Sequence, residues 1–152
     1  MTTEDVSRRA RQGVVPEMSR PADPDSVSQP FWDAAAAERL VVQRCSACGR
    51  FRSPPGPICP NCRSFDVEWV ELPGTGTLYT FIVVRHPLHP QLADVCPYVT
   101  GLIELDGTQG PGARMFGNVI DCDPDEVEIG DRVRVVFDHV DDGTTVLRFA
   151  PC

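Results

Sequence analysis

The sequence predicts a mainly β protein in which a short helix and a four-cysteine ribbon precede a small closed barrel. Two C-x-x-C pairs separated by ten residues predict the ribbon. Five short strands within roughly 75 residues, with glycines where strands must bend, predict the barrel. A chain of 152 residues has room for one ordinary domain with appendages, so both units are expected to be small.

The amino-terminal residues 1–27 are predicted to form a disordered tail. They lack periodic apolar positions and carry Pro16, Pro21 and Pro24 among charged and small polar residues. The alternative is a segment that becomes ordered on a partner.

A short helix is predicted from about residue 28 to residue 39. Pro30 suits the first helical turn, and the run of alanines that follows it propagates a helix. Phe31 and Trp32 are neighbours in sequence and therefore point in different directions from the helix axis. Either one packs on the ribbon while the other meets a partner, or both pack internally.

The ribbon is predicted to hold one metal ion on Cys45, Cys48, Cys59 and Cys62. Each pair can form a turn that presents two thiolates, and two such turns complete a closed tetrahedral site, which is typical of structural zinc. A closed site leaves no position for water or substrate, so the metal is expected to maintain shape and not to react. Iron at the same thiolates is the alternative. The odd total of seven cysteines also disfavours a disulfide framework.

Residues 28–71 are expected to form the helix and ribbon, with strands over residues 40–44 and 67–71. Four arginines lie close to the cysteines in sequence, and their charge is expected to offset the net charge of about −2 that zinc carries with four thiolates. Phosphate binding is the alternative role of these arginines, which are Arg44, Arg50, Arg52 and Arg63.

Residues 72–152 are expected to form the barrel, because strand-forming residues recur between turn-forming ones. The five strands are predicted over residues 77–85, 98–105, 114–120, 132–137 and 145–149. The connection between the first two, from residue 85 to residue 97, is longer than two paired strands need. Long loops in compact domains are often functional.

Charge and hydropathy argue against two classes of partner, nucleic acids and membranes. Residues 71–152 carry 13 acidic residues and five arginines, a net charge of about −8, whereas residues 29–70 have a net charge of about +1. Nucleic-acid binding needs cationic surface to displace counterions from phosphates, so nucleic acid is not the expected partner. There is neither an apolar run of membrane-spanning length nor a signal-peptide core after Met1, so the chain is expected to be cytoplasmic.

The order of these motifs resembles a family of zinc-ribbon plus OB-fold proteins that is associated with acyl-CoA metabolism and was long catalogued as a domain of unknown function. The resemblance covers about residues 28–150. Its motifs are the helix with Phe-Trp, the ribbon, Pro-Pro before the second cysteine pair, Gly-x-Gly, Pro-Tyr before the second barrel strand, and Glu-x-Ile-Gly-Asp-x-Val. It implies a rubredoxin-like zinc ribbon with all four cysteines as ligands and a five-stranded OB-fold barrel.

The resemblance also implies a function. Family members look like non-catalytic partners of thiolase-fold enzymes, including thiolases, hydroxymethylglutaryl-CoA synthases, ketoacyl-CoA acyltransferases and lipid-transfer-protein-like aldolases. Some are fused to, or paired with, MaoC-type hydratases of steroid side-chain degradation. We therefore expect a scaffold or obligate subunit within a hetero-oligomer that shapes its partner's acyl-CoA site. No catalytic residue carries over, so activity is expected only as part of an aldolase or thiolase complex.

Within that function, the 85–97 loop is predicted to line the entrance for an acyl-CoA shared with the partner. Arg85 or His86 would meet a phosphate, and Leu88 or Leu92 the pantetheine arm or acyl group. The alternative for the loop is a solvated, proline-rich connection. The alternative for the whole chain is a free-standing module that binds CoA esters or nucleic acid.

Overall fold

The computed structural model describes residues 13–15, 27–110, 112–140 and 143–152. Over these residues the chain forms a helix, a three-stranded ribbon sheet and a closed five-stranded barrel. This confirms the predicted mainly β fold class. Most of the predicted disordered tail, residues 1–12 and 16–26, lies outside the described residues, and for these residues disorder stays a prediction.

Helix α1 spans Gln29–Ala36 and is shorter than predicted. It ends where Glu38 adopts a left-handed conformation with φ of 55°. The amides of Glu38 and Arg39 donate to the carbonyls of Ala35 and Ala34, which is a Schellman motif that caps the helix. The rings of Phe31 and Trp32 meet edge to face, and both side chains are half-buried. None of the described helices is long and apolar enough to span a membrane.

The ribbon sheet is antiparallel, in the order β2–β1–β3. Its strands are β1 (Val41–Cys45), β2 (Phe51–Arg52) and β3 (Val67–Glu71). Leu40, Val42 and Phe51 are buried in the same apolar cluster as the barrel interior. The ribbon and the barrel therefore share one hydrophobic core.

The barrel closes in the order β4–β5–β6–β8–β7, with β6 and β8 parallel and its other strand pairs antiparallel. This arrangement is the predicted five-stranded OB barrel. Its strands are β4 (Thr75–Val84), β5 (Tyr98–Leu105), β6 (Arg114–Val119), β7 (Arg132–His139) and β8 (Thr145–Pro151). The interior is filled by buried side chains, the largest of which include Phe149, Leu78 and Ile103.

Gly117 lies where β6 passes closest to the core. A Cβ atom at this position would lie 2.5 Å from Cδ2 of Phe149, which is fully buried and cannot move aside. We expect Gly117→Ala to lower the free energy of unfolding by about 2 kcal/mol, the usual cost of overpacking a core. Urea unfolding measures this change. Gly56→Ala is the matched control, because a Cβ there meets nothing within 4 Å; equal effects of the two substitutions would contradict the packing account.

A polar clamp links β4 and β7 to Asp106, the residue that follows β5. Arg132 donates to both carboxylate oxygens of Asp106, and the hydroxyl of Thr75 donates to Oδ2 at 2.5 Å. Arg132 also donates to Oγ1 of Thr77 at 2.8 Å. The bonds from Arg132, followed by the bond from Thr75, lower the pKa of Asp106, because they favour the ionised carboxylate.

The clamp predicts a pH-dependent loss of stability in Asp106→Asn. A carboxyl group whose pKa is depressed on folding stabilises the fold above its unfolded pKa of about 3.9, and this contribution is lost as pH falls through the folded value. The variant should therefore be less stable than wild type at pH 7, and the difference should shrink below about pH 4. Urea unfolding at several pH values tests this, with Asp94→Asn in an exposed loop as the control. A difference that does not change with pH would contradict the assignment.

Candidate metal centre and partner surface

The structure brings the four predicted metal ligands together. The Sγ atoms of Cys45, Cys48, Cys59 and Cys62 all lie within 4.8 Å of one another, and two of the pairs are 3.6 Å and 3.7 Å apart. Four sulfurs each about 2.3 Å from a zinc ion form a tetrahedron with edges of about 3.8 Å. The thiol cluster therefore has the size that one tetrahedral zinc ion requires.

Each cysteine pair sits on a turn of the same form. The amide of Gly49 donates to the carbonyl of Cys45 at 2.8 Å, and the amide of Arg63 donates to the carbonyl of Cys59 at 2.9 Å. Gly49 and Arg63 both follow a cysteine pair, and both are left-handed, with φ of 75° and 62°. Glycine adopts this conformation readily but arginine does not. The second turn therefore keeps the geometry of the first despite an unfavourable residue.

The turns also favour the thiolate form that binds a metal. The backbone N–H of Cys62 is the main cause that lowers the pKa of Cys59 to about 6. The backbone N–H of Arg50 lowers the pKa of Cys48, whose sulfur also accepts from Nδ2 of Asn61 at 3.6 Å. The N–H of Ser64 lowers the pKa of Cys62, but burial and the neighbouring thiols outweigh it and raise the value to about 12. A bound cation stabilises all four thiolates, so a metal ion in the cluster favours loss of the proton from Cys62 as well.

The ribbon arginines take different positions. Nε of Arg44 donates to Glu68 at 2.8 Å, and its guanidinium lies over the ring of Phe51. Arg52 is buried, and its Nε donates to Oε1 of Gln43 at 2.6 Å. Its two terminal nitrogens are buried without a hydrogen-bond acceptor among the described residues. Two of the four arginines are thus engaged within the ribbon sheet itself.

The four residues assigned to the predicted acyl-CoA loop fall into two groups, three of them exposed and one buried. Arg85 is exposed and forms an ion pair with Asp125, and His86 is also exposed. Leu88 is 84 % exposed, whereas Leu92 is buried. A short 3-10 helix over Pro90–Leu92 turns Leu92 inward, onto Val95 and Tyr98. Arg85, His86 and Leu88 are therefore available at the surface, and Leu92 supports the loop from inside.

The barrel carries an exposed apolar face that the sequence analysis did not identify. Tyr79, Ile82, Leu102 and Phe116 form this face on strands β4, β5 and β6. Ile82 is 62 % exposed and Phe116 is 75 % exposed. Leu102 on β5 pairs with Thr80 on β4 and with Phe116 on β6. Paired residues of neighbouring strands lie on the same face of the sheet, so these three side chains are neighbours. The available signal was the consecutive apolar run of β4, which is typical of a strand covered on both faces.

Arg114 lies at the rim of this apolar face. The guanidinium of Arg114 lies 3.5 Å above the ring of Tyr79. The same guanidinium donates to Glu104 at 2.9 Å. Glu104 therefore offsets the charge of Arg114 at this rim.

A separate pocket of about 290 Å³ lies at one mouth of the barrel. Leu78, Val119 and Val133 contribute apolar side chains to it, and Asp121, Asp123, Glu126 and Asp131 make it acidic. Burial, followed by the nearby carboxylates, raises the pKa of the Cys122 thiol in this pocket. The pocket is therefore unsuited to the phosphates of CoA.

Models of one family match two consecutive parts of the chain. A model described as the ChsH2 rubredoxin-like zinc ribbon domain matches residues 32–68. A model described as the ChsH2 C-terminal OB-fold domain matches residues 69–138. The two matches meet between residues 68 and 69, within β3.

A solved structure and an archaeal protein resemble most of this chain. The structure, titled Ltp2-ChsH2(DUF35) aldolase, superposes with a TM-score of 0.74 and 42 % identity, over 87 % of this chain and 98 % of that chain. A DUF35 domain-containing scaffold protein of Methanothermobacter thermautotrophicus is 36 % identical over 102 residues, which are 66 % of this chain and 73 % of the relative.

Two longer relatives are named as hydratase subunits. The probable enoyl-CoA hydratase alpha subunit of Thermomonospora curvata is 42 % identical over 137 residues, covering 90 % of this chain and 41 % of the relative. The 3-oxo-4,17-pregnadiene-20-carboxyl-CoA hydratase alpha subunit of Mycobacterium tuberculosis is 34 % identical over 123 residues, covering 76 % and 37 %. The chain therefore spans less than half the length of these two relatives.

Proposed function

Because this chain belongs to the ChsH2 family of DUF35 proteins, which join a rubredoxin-like zinc ribbon to an OB-fold domain, we propose that it is a non-catalytic scaffold subunit of a thiolase-fold acyl-CoA enzyme. The expected partner is an aldolase or thiolase acting on the CoA ester of a lipid or steroid side chain. A MaoC-type hydratase is the second expected partner. Two findings support this proposal: the solved neighbour is an aldolase complex, and the hydratase relatives are named for CoA esters.

The observation that carries the proposal is the apolar face on β4, β5 and β6. Large apolar side chains that cluster on the surface of a soluble protein mark interaction sites, and exposed aromatic residues are enriched in protein interfaces. The whole chain has a formal net charge of −8, so a second copy of the chain would be repelled. A protein partner with an apolar surface is therefore the best fit. Nucleic acid fits poorly, because the same net charge of −8 repels phosphates.

The 85–97 loop is the part that we assign to acyl-CoA. Arg85 and His86 would meet a phosphate, and Leu88 would meet the pantetheine arm or the acyl group, while Leu92 holds the loop from within. Arg85 is already paired with Asp125. An exposed ion pair contributes little to stability, so Arg85 can exchange Asp125 for a phosphate. In this arrangement the partner supplies the acid, base or nucleophile, and this chain orients the substrate.

The zinc ribbon has a structural part in the proposal. A closed four-thiolate site offers no position for substrate, so zinc there stabilises the fold and does not react. The ribbon shares its core with the barrel through Leu40, Val42 and Phe51, and a rigid ribbon therefore stabilises the barrel as well.

Co-expression tests the proposal directly. The Ltp2 subunit of the solved aldolase is expressed alone and with this chain, and solubility, co-elution and aldol cleavage of an acyl-CoA substrate are measured. We expect Ltp2 to co-elute with this chain and to be active only in its presence. Separate elution, with cleavage that is independent of this chain, would refute the scaffold role. Tight binding of a CoA ester by the isolated chain would favour the free-standing module.

A further inference from the structure

Residues 13–15 lie about one hundred positions from the barrel residues they contact, and they join the 85–97 loop to strand β6. The amide of Gly13 donates to the carbonyl of Val95 at 2.9 Å. On the other side, Nδ2 of Asn118 donates to the carbonyl of Gly13 at 2.9 Å, and Oδ1 of Asn118 accepts from the amide of Val15 at 3.0 Å. The side-chain amide thus pairs with this segment as a backbone peptide group pairs with a neighbouring strand.

The amide of Asn118 is held in this orientation by other residues. Its Nδ2 also donates to the carbonyl of Val99 at 2.9 Å. Its Oδ1 also accepts from Arg148 at 3.1 Å, and this buried arginine donates to Asp138 at 2.6 Å. Val99 and Arg148 therefore hold the two ends of the Asn118 amide. This fixes the orientation of the side chain independently of residues 13–15.

An apolar contact adds to these hydrogen bonds. Leu92, Val95 and Tyr98 form a small buried cluster separate from the main core, and Val15 packs against it. A cluster of three side chains stabilises the loop only weakly. The packing of Val15 is therefore a large part of the apolar contact that holds the loop in place. Gly13 is left-handed, with φ of 81°, which other residues rarely adopt.

We propose that residues 13–15 act as a strap that fixes the 85–97 loop to the barrel, with Asn118 as the positioning residue for the strap. The strap contacts the loop at Val95 and at the buried apolar cluster, and leaves Arg85, His86 and Leu88 exposed. The loop then presents those three side chains in one fixed direction. The functional part of this inference rests on the proposed acyl-CoA role of the loop, whereas the structural part does not.

Hydrogen exchange on the full chain tests the structural part. Gly13→Pro removes the donor to Val95 and excludes a positive φ, and deletion of residues 1–15 removes the strap while leaving Asn118 unchanged. In both variants we expect the amides of Leu92, Val95 and Cys96 to exchange at least about tenfold faster, with β7 and β8 unaffected. Gly110→Pro is the matched control, since Gly110 is also left-handed and a Cβ there meets nothing within 4 Å. Unchanged exchange in the loop would overturn the strap.

Kinetics of the complex with Ltp2 test the functional part. Loosening the loop is expected to raise KM for the acyl-CoA about tenfold with little change in kcat or in the amount of complex, because an interaction shared by substrate and transition state is weakened. Leu88→Ala should raise KM in the same way without changing exchange in the loop. Faster exchange with unchanged KM would refute the role of the strap in positioning the loop for the substrate. If wild type forms no complex, the proposed function fails, and the exchange rates alone decide the strap.

Discussion

Loss of zinc, through a chelator or through Cys59→Ser, is expected to unfold the ribbon and to destabilise the whole chain by several kcal/mol. The ribbon has three short strands, and structural zinc sites contribute about 10–16 kcal/mol of apparent binding free energy in isolated zinc-finger peptides. Cys59 is fully buried within the thiol cluster, and among the described residues only the other three cysteines share that cluster, so serine removes one of four ligands without a replacement. Because Leu40 and Phe51 lie in the shared core, the barrel should lose stability as well.

Zinc content, circular dichroism and thermal unfolding, measured together, test this expectation. Cys152→Ser is the control, because this exposed terminal thiol lies outside the cluster. Cobalt substitution adds a direct readout, since it reports the number of thiolates around the metal. A Cys59→Ser chain that kept its zinc and its melting temperature would show that the site is not the closed structural centre described here.

Phe116→Asp is expected to weaken binding to the partner at least about 100-fold, which corresponds to about 2.8 kcal/mol. A carboxylate in the centre of a desolvated interface costs several kcal/mol unless it is paired. The substitution should leave stability nearly unchanged, because Phe116 is 75 % exposed in the isolated chain. Ile82→Asp, on the same apolar face, should have a similar effect.

The matched control for this experiment lies on the ribbon. Phe65 is 72 % exposed, so Phe65→Asp makes the same chemical change at almost the same exposure but on a different surface. Binding is measured by titration of the Ltp2 subunit, and unfolding curves are recorded for each variant. Loss of binding with Phe65→Asp but not with Phe116→Asp would transfer the docking surface to the ribbon and refute the assignment of the apolar face.

The sequence predicted most of the strands because their signals are local. The strand predicted over residues 98–105 forms as β5 with the same bounds, and the helix differs only at its end, where Glu38 turns left-handed. The two-residue strand β2 was missed, since a pair of residues shows no alternation. The four cysteines were assigned from spacing alone, because short metal-binding turns need no long-range information.

The apolar face and the strap were missed for a different physical reason. The pairing of β4 with β5 shifts between Leu78 and Thr80, so alternation alone does not tell which side chains of β4 face outward. The contacts of Gly13 and Val15 with Asn118 join residues that are more than one hundred positions apart. Leu92 was predicted to meet a ligand, but the 3-10 turn that faces it inward has no strong sequence signal.

The shared core of ribbon and barrel has a consequence for protein engineering. Leu40, Val42 and Phe51 of the ribbon side belong to one apolar cluster with barrel residues such as Leu105 and Ala113, and the boundary between the two sets within this cluster is the seam. A chimaera that joins this ribbon to another barrel would meet side chains of different volume along that seam, and an excised barrel would expose the same seam to water. The unit that can be transplanted between relatives is therefore the ribbon and barrel together, with the seam residues exchanged as a set.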